Sequence, residues 1–150
     1  MAKDRKQGKR GLNIIIVGCG KVGASLTEQL YKEGHDITLV DRSSERLQAL
    51  TDMYDVMGIV GNGASYKIQR EAGIDNADLM IAVTDSDELN LLCCTVAKRV
   101  GDCAAIARVR TPDYSDEVSY LKEKLGLAMI INPEMEAANE ITHVLSLPAA

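Results

Sequence analysis

Asn13-Ile14-Ile15-Ile16-Val17-Gly18-Cys19-Gly20-Lys21-Val22-Gly23 is the stretch on which the reading of this chain turns. Four β-branched residues in a row, Ile14 to Val17, suit a parallel strand buried on both faces. Gly18, Gly20 and Gly23 then spell GxGxxG, and Ala24 to Leu30 continues with helical spacing. In such a turn Gly18 permits a tight exit from the strand. Gly20 leaves bare backbone for a diphosphate, and Gly23 lets the helix approach the sheet. The helix's free N–H groups and positive dipole end, beginning at Cys19, Lys21 and Val22, would face an anion. The next strand, Asp36 to Asp41, ends in a carboxylate eighteen residues beyond Gly23. A carboxylate there can accept hydrogen bonds from both hydroxyls of an adenosine ribose, which favours NAD or an adenine nucleotide over NADP. Arg42 beside it can stack on adenine or stand in solvent.

Working outward, strand and helix patterns alternate to the end of the chain. Ser43 to Met53 reads as a helix with Leu47 and Leu50 on one face, and Val56 to Val60 as a short strand. Ser65 caps a helix that Gly73 stops. Leu79 to Val83 is a buried strand, and Asp85 with Glu88 resembles a capping box for a helix to Val100. Ala104 to Val109 is a fifth strand, and Thr111-Pro112 opens a helix reaching Leu125. Ala128 to Ile131 is a sixth strand, after which Asn132-Pro133 launches a last helix through Leu147. The expected fold is α/β: a Rossmann-like, doubly wound, parallel six-stranded sheet with helices on both faces.

Ligands of such sheets bind beyond the carboxyl ends of the strands, where the strand order reverses. This chain places there the glycine turn, Asp41, Asn62-Gly63, Thr84-Asp85 and Arg108, one set from each of five successive strands. Gly63 would allow close approach, and Asn62 could meet adenine or ribose. Thr84 could bond phosphate or ribose, and Arg108 could form a charge-assisted pair with phosphate. Each has a plain structural explanation alone; in series they suit an adenosine diphosphate moiety.

Composition narrows the field. With 150 residues, no Trp or Phe and five Tyr, the chain has the length of one domain with an aliphatic core. Its net charge of −5 is uneven, because the first eleven residues carry +4 and the remainder −9. An acidic body argues against nucleic acid as a partner. Residues 1–12 read as a basic flexible leader without the apolar run of a signal peptide. Cysteines 19, 93, 94 and 103 form no CxxC pair, so reduced core thiols are expected and no metal site. Cys19, at a helix N-terminus, is where a thiol could acidify, although filling a small position is the plainer role. His35 falls at the strand-start end, away from the site, and His143 in the last helix. Tyr120 and Lys124 spell YxxxK, which helical spacing produces often by chance, and they read as a surface pair.

The motifs G-C-G-K-V-G, the V-D closing the second strand, G-N-G-A-S, A-V-T-D-S-D-E-L-N, I-A-R-V-R-T-P-D-Y and N-P-E resemble, in order, the N-terminal nucleotide-binding (KTN or RCK) domain of TrkA-type potassium uptake regulators. The resemblance runs from Asn13 to Ala150. It implies an NAD(H)- or ATP/ADP-binding regulatory domain without catalysis, at the cytoplasmic inner face of a membrane, partnered by a membrane-embedded potassium transporter or channel subunit. It implies that Gly18 to Val22 hold the diphosphate, that Asp41 holds the ribose, and that Asn62, Gly63, Thr84, Asp85 and Arg108 complete the pocket. It implies a nucleotide-binding domain over residues 13–132 and a crossover helix over 133–150 that joins a homodimer, or a ring of dimers. The small C-terminal subdomain of such relatives is expected to be absent. An NAD-dependent oxidoreductase fragment without its catalytic domain is the alternative, and an oligomerisation scaffold with a vestigial pocket a third reading.

Overall fold

A computed structural model describes residues 11–110, 117–127 and 129–131. The elements are β1 (Asn13–Val17), α1 (Lys21–Lys32), β2 (Asp36–Asp41), α2 (Ser44–Met53), β3 (Met57–Val60) and α3 (Tyr66–Glu71), followed by a 3-10 turn over Ile74–Asn76. The chain continues through β4 (Leu79–Ala82), α4 (Asp87–Gly101), β5 (Ala104–Arg108), α5 (Val118–Leu125) and β6 (Met129–Ile131). Strands β1 to β5 form the body of a parallel sheet, and the three residues of β6 pair alongside β5. The order is β3-β2-β1-β4-β5-β6. The chain therefore winds outward from β1 to β3, then crosses back to lay β4 on the other side of β1. Ile14 pairs with Ile37 on one side and Leu79 on the other, and the reversal of winding falls beside β1.

Strand alternation sends successive residues into two cores. Ile14, Ile16, Leu39, Ile81 and Ile106 pack with Leu26 and Leu30 of α1 and Leu47 and Leu50 of α2. Ile15, Val17, Val40, Met80, Ala105 and Ala107 pack with Cys93, Cys94 and Ala97 of α4. Helices thus cover both faces. Each fully buried Ile or Leu contributes about 1.5–3 kcal/mol, and the aliphatic residues replace the missing aromatic ones. The four cysteines are free and buried.

Several boundaries shift by a residue or two. β3 starts at Met57 rather than Val56, and Val83 and Val109 lie just past their strands. The expected Asp85–Glu88 capping box is replaced by Ser86, whose hydroxyl accepts from the Leu89 N–H at 3.1 Å. The serine stands one residue nearer the first turn, which leaves Asp85 outside the helix. The Thr111-Pro112 start, residue 128, the Asn132-Pro133 start, the last helix with His143 and residues 1–10 lie outside the described residues.

Candidate nucleotide site

The carboxyl ends of β1 to β5 open into one cavity of about 530 Å³. Among the expected residues, Gly18, Gly20, Lys21, Val22, Asp41, Asn62, Gly63, Thr84, Asp85 and Arg108 all line it. Five separate strand ends therefore meet at one place, beside the reversal of winding.

The glycine turn is shaped by contacts that leave no room for side chains at two positions. Gly18 has φ +106°, a left-handed conformation, and a Cβ there would stand 2.9 Å from the Thr84 nitrogen. A Cβ on Gly23 would stand 1.8 Å from the Gly18 carbonyl oxygen, so α1 packs directly on the turn that precedes it. Gly20 differs: a Cβ there would meet only the Arg46 Nη1 at 3.6 Å, because Gly20 faces the cavity. At Gly63 a Cβ would come within 2.4 Å of Val17 Cγ1, so the absence of a side chain lets this loop pack on β1 where it lines the cavity.

Asp41 binds backbone on both sides. Its Oδ2 accepts from the Cys19 N–H at 2.7 Å and its Oδ1 from the Ser43 N–H at 2.8 Å. The carboxylate ties the glycine turn to the start of α2, and each oxygen keeps a further acceptor position. The Ser43 hydroxyl in turn accepts from the Arg46 N–H at 3.2 Å, capping α2. Cys19 is buried behind this contact and does not line the cavity. The acidified thiol that a helix N-terminus suggested is overturned: burial first, then Asp41, push the thiol up to about 12, against a smaller opposing effect of Arg46.

The β4–β5 side is stitched from within. Asn90, fully buried on α4, accepts from the Thr84 N–H at 2.8 Å and the Thr84 hydroxyl at 2.6 Å. Its amide nitrogen donates to the Thr84 carbonyl at 3.1 Å and the Arg108 carbonyl at 2.9 Å. The Thr84 hydroxyl also accepts from the Ser86 N–H at 3.2 Å. Thr84 therefore lines the cavity with its hydroxyl held by Asn90. Asp87 accepts from the Arg110 N–H at 3.2 Å with both oxygens, and Arg110 Nη2 donates to the Asp85 carbonyl at 2.9 Å.

Arg108 is 8% exposed, and its Nη1 donates to the Val83 carbonyl at 3.3 Å and the Thr84 carbonyl at 3.4 Å. Its Nε is buried without a partner among the described residues. Burial, then the neighbouring Arg110, lower its pKa, against the raising effects of Asp85 and Asp87. Asn62 makes an internal turn, its Oδ1 accepting from the Ala64 N–H at 2.9 Å.

Residues that the sequence reading passed over also matter here: Arg46, Ser43, Ser86 and Leu89 line the cavity, and Asn90 and Gln69 hold its walls. Gln69 donates to the carbonyls of Gly63 at 2.8 Å and Cys93 at 3.1 Å, joining the β3–α3 loop to α4. Asn90 had a signal, an asparagine four residues into a helix behind a strand-end threonine. The excluded groups behave as expected. His35 Nδ1 accepts from the Leu12 N–H at the opposite end of the sheet. Tyr120 is 60% exposed with Lys124 Nζ 5.8 Å from its ring centre, a surface cation–π pair. Among the described residues no cluster of three or more His, Cys, Asp or Glu could hold a metal, and no helix is long and apolar enough to cross a membrane.

Comparison with known proteins adds a family. The model of the TrkA-N domain matches residues 14–133. The Trk system potassium uptake protein TrkA of Haemophilus influenzae is 39% identical over 142 residues, covering 93% of this chain and 31% of that protein. The TrkA homologue of Archaeoglobus fulgidus is 35% identical over 139 residues, with the same coverage. The chain thus spans about a third of the length of these relatives. Among solved structures, the TrkA-N domain of the inner membrane protein ybaL from Escherichia coli superposes with a TM-score of 0.72 at 25% identity, covering 91% of this chain and 98% of that one. The Kef C-terminal domain of Shewanella denitrificans, in an AMP-bound form, gives 0.69 at 19% identity, covering 90% and 82%. The GsuK channel bound to NAD gives 0.67 at 19% identity, covering 83% and 22%.

Proposed function

Because the chain belongs to the TrkA-N domain family, we propose that it is an adenine-nucleotide-binding regulatory domain of a potassium uptake system. The ligand is NAD(H) or ATP/ADP, and the domain works through binding rather than catalysis. The observation that carries this reading is the cavity into which all five strand ends bring polar groups, with its glycine turn anchored to Asp41. The names of the relatives supply the process, potassium uptake, and two of the structural neighbours are bound to NAD and AMP.

In this reading residues 13–132 form the nucleotide-binding unit, residues 1–12 a basic leader, and residues 133–150 a crossover helix that joins two copies. Gly18, Cys19, Gly20, Lys21, Val22 and Gly23 shape and charge the diphosphate end, and Asp41 takes the adenosine ribose through its remaining acceptor positions. Asn62, Gly63, Thr84, Asp85 and Arg108 form the rest of the wall. Cys19 acts through its backbone N–H, and Thr84 and Gly63 act by shape. The partner is a membrane-embedded potassium transporter or channel subunit, and the domain sits on the cytoplasmic side. Nucleotide exchange alters the angle between paired domains, which requires ligands that differ in affinity for two conformations.

The test is calorimetric titration of the chain with NADH, NAD, ATP and ADP, beside an Asp41→Ala variant. Binding by one or more ligands, lost in the variant, supports the site. Absence of binding by all four in the unaltered chain sinks it.

A further inference from the structure

We propose that Arg46, on the first turn of α2, is a ligand-contacting residue that closes over the glycine turn and reads the phosphates of the bound nucleotide. The proposal rests on the nucleotide reading above and assigns a role to a residue that neither the motifs nor the family resemblance singled out. Three observations carry it. The guanidinium, although solvent-exposed, reaches toward the turn: Nη1 lies 3.6 Å from where a Cβ on Gly20 would stand, and Arg46 lines the cavity. Among the described residues no hydrogen bond or ion pair engages that guanidinium, whereas Arg108, another of the three arginines lining the cavity, is held by two carbonyls. The backbone of Arg46 is also fixed relative to the turn by a continuous relay. The Cys19 N–H donates to Asp41, Asp41 accepts from Ser43, and the Ser43 hydroxyl accepts from the Arg46 N–H.

The geometry makes Arg46 and Arg108 two sides of a bracket. Arg108 donates to the Val83 carbonyl, which lies 2.9 Å from the Cβ position of Gly18, while Arg46 stands over Gly20. An anion resting on the bare backbone of this turn has a guanidinium at each end. Arg46 offers the fork of donors that phosphate oxygens take two at a time, on a side chain free to adjust as the ligand seats. Arg46 therefore sets affinity for the phosphates and not for the adenine, and a guanidinium is required rather than any cation.

The test is an amide-NMR titration, which covers micromolar to millimolar affinities, of the chain with ADP and with adenosine. It compares the unaltered protein with Arg46→Ala and Arg46→Lys. Because Arg46 is exposed, both variants fold, and their amide spectra in the free state verify it. Arg46→Ala is expected to weaken ADP roughly ten- to a hundredfold, the worth of a charge-assisted hydrogen bond. Adenosine affinity stays within about twofold, and Arg46→Lys recovers only part of the loss for ADP. An equal loss for ADP and adenosine would mean stacking on the base and overturn the proposal, as would an unchanged ADP affinity in Arg46→Ala. If the unaltered chain binds neither ADP nor any of the other nucleotides, the nucleotide reading falls and this proposal with it. A site that binds ADP normally with Arg46 removed refutes this proposal alone.

Discussion

Replacing Gly23 with alanine tests the most tightly dimensioned contact in the molecule. The added methyl would stand 1.8 Å from the Gly18 carbonyl oxygen and 2.8 Å from its carbon, with Val83 Cγ2 next at 3.6 Å. A carbon and an oxygen ordinarily approach to roughly 3.3 Å, so α1 must retreat from the turn by more than an ångström. The obstructing atoms are backbone, and no rotamer change can relieve them. Overpacking of this kind costs about 3 kcal/mol, the upper end of the usual range. Alanine returns at most about 1 kcal/mol through its better helix propensity, leaving a net loss of about 2 kcal/mol. For a domain of this size that is a fall in Tm of about 4–8 °C. Gly20→Ala is the matched control, because its methyl meets only a flexible arginine tip at 3.6 Å. Urea and thermal unfolding of both variants should show a large loss for Gly23→Ala and a change within about 0.5 kcal/mol for Gly20→Ala. Nucleotide affinity should fall in both, in the second because the methyl occupies the floor of the cavity. A Gly23→Ala protein that melts within 1 °C or so of the unaltered one would refute the reasoning, since the contact would then be soft.

Other consequences follow from the walls of the cavity and the buried thiols. Asn90→Ala leaves the Thr84 N–H and the Arg108 carbonyl without this partner and the Thr84 carbonyl with only the Arg108 guanidinium, at a cost of about 3 kcal/mol, read as a lower urea midpoint at constant m-value. Cys19 and Cys93 are each pushed up to about 12 by burial, from an unfolded value of 9.0. The folded state therefore holds protons that the unfolded state releases. Their contribution is fully present below pH 9 and is lost as pH rises from 9 towards 12, by roughly 1 kcal/mol for each thiol at pH 10. Unfolding followed in urea between pH 7 and 10.5 should show this decline, and Cys19→Ala should remove about half of it, leaving the share of Cys93. For the same reason, thiol reagents at pH 8 should label the native protein far more slowly than the urea-unfolded chain.

Much of the architecture was legible because local and global signals agree. The Ile14–Val17 run, Asp41 at a strand end and Ser65 as a cap each have one comfortable place in a parallel α/β sheet, and the structure uses them there. The convergence of five strand ends followed from topology alone. What stayed hidden depended on partners distant in sequence. Asn90 looks like a neutral helix residue until Thr84 and Arg108 are folded against it. The Thr84 hydroxyl is then held by that amide. At Gly63 the neighbour that leaves no room for a side chain is Val17. For Cys19 the plainer of its two roles holds, a small buried residue, since burial and the nearby Asp41 carboxylate raise its thiol pKa. Arg46 resembled any arginine on a solvated helix face, since nothing in its own segment reveals that it reaches toward the turn.

Asp41 holds two backbone N–H groups of the chain itself, and this bears on rates. Through this carboxylate the turn and the first residues of α2 are tied to each other by contacts within the chain. A ligand meets a carboxylate whose direction is settled and whose outer acceptor positions face the cavity. On the proposed nucleotide reading, association should accordingly be a single phase in stopped-flow whose rate rises linearly with ligand concentration, with no slower unimolecular step. Differences among nucleotides should then reside in how quickly each one leaves.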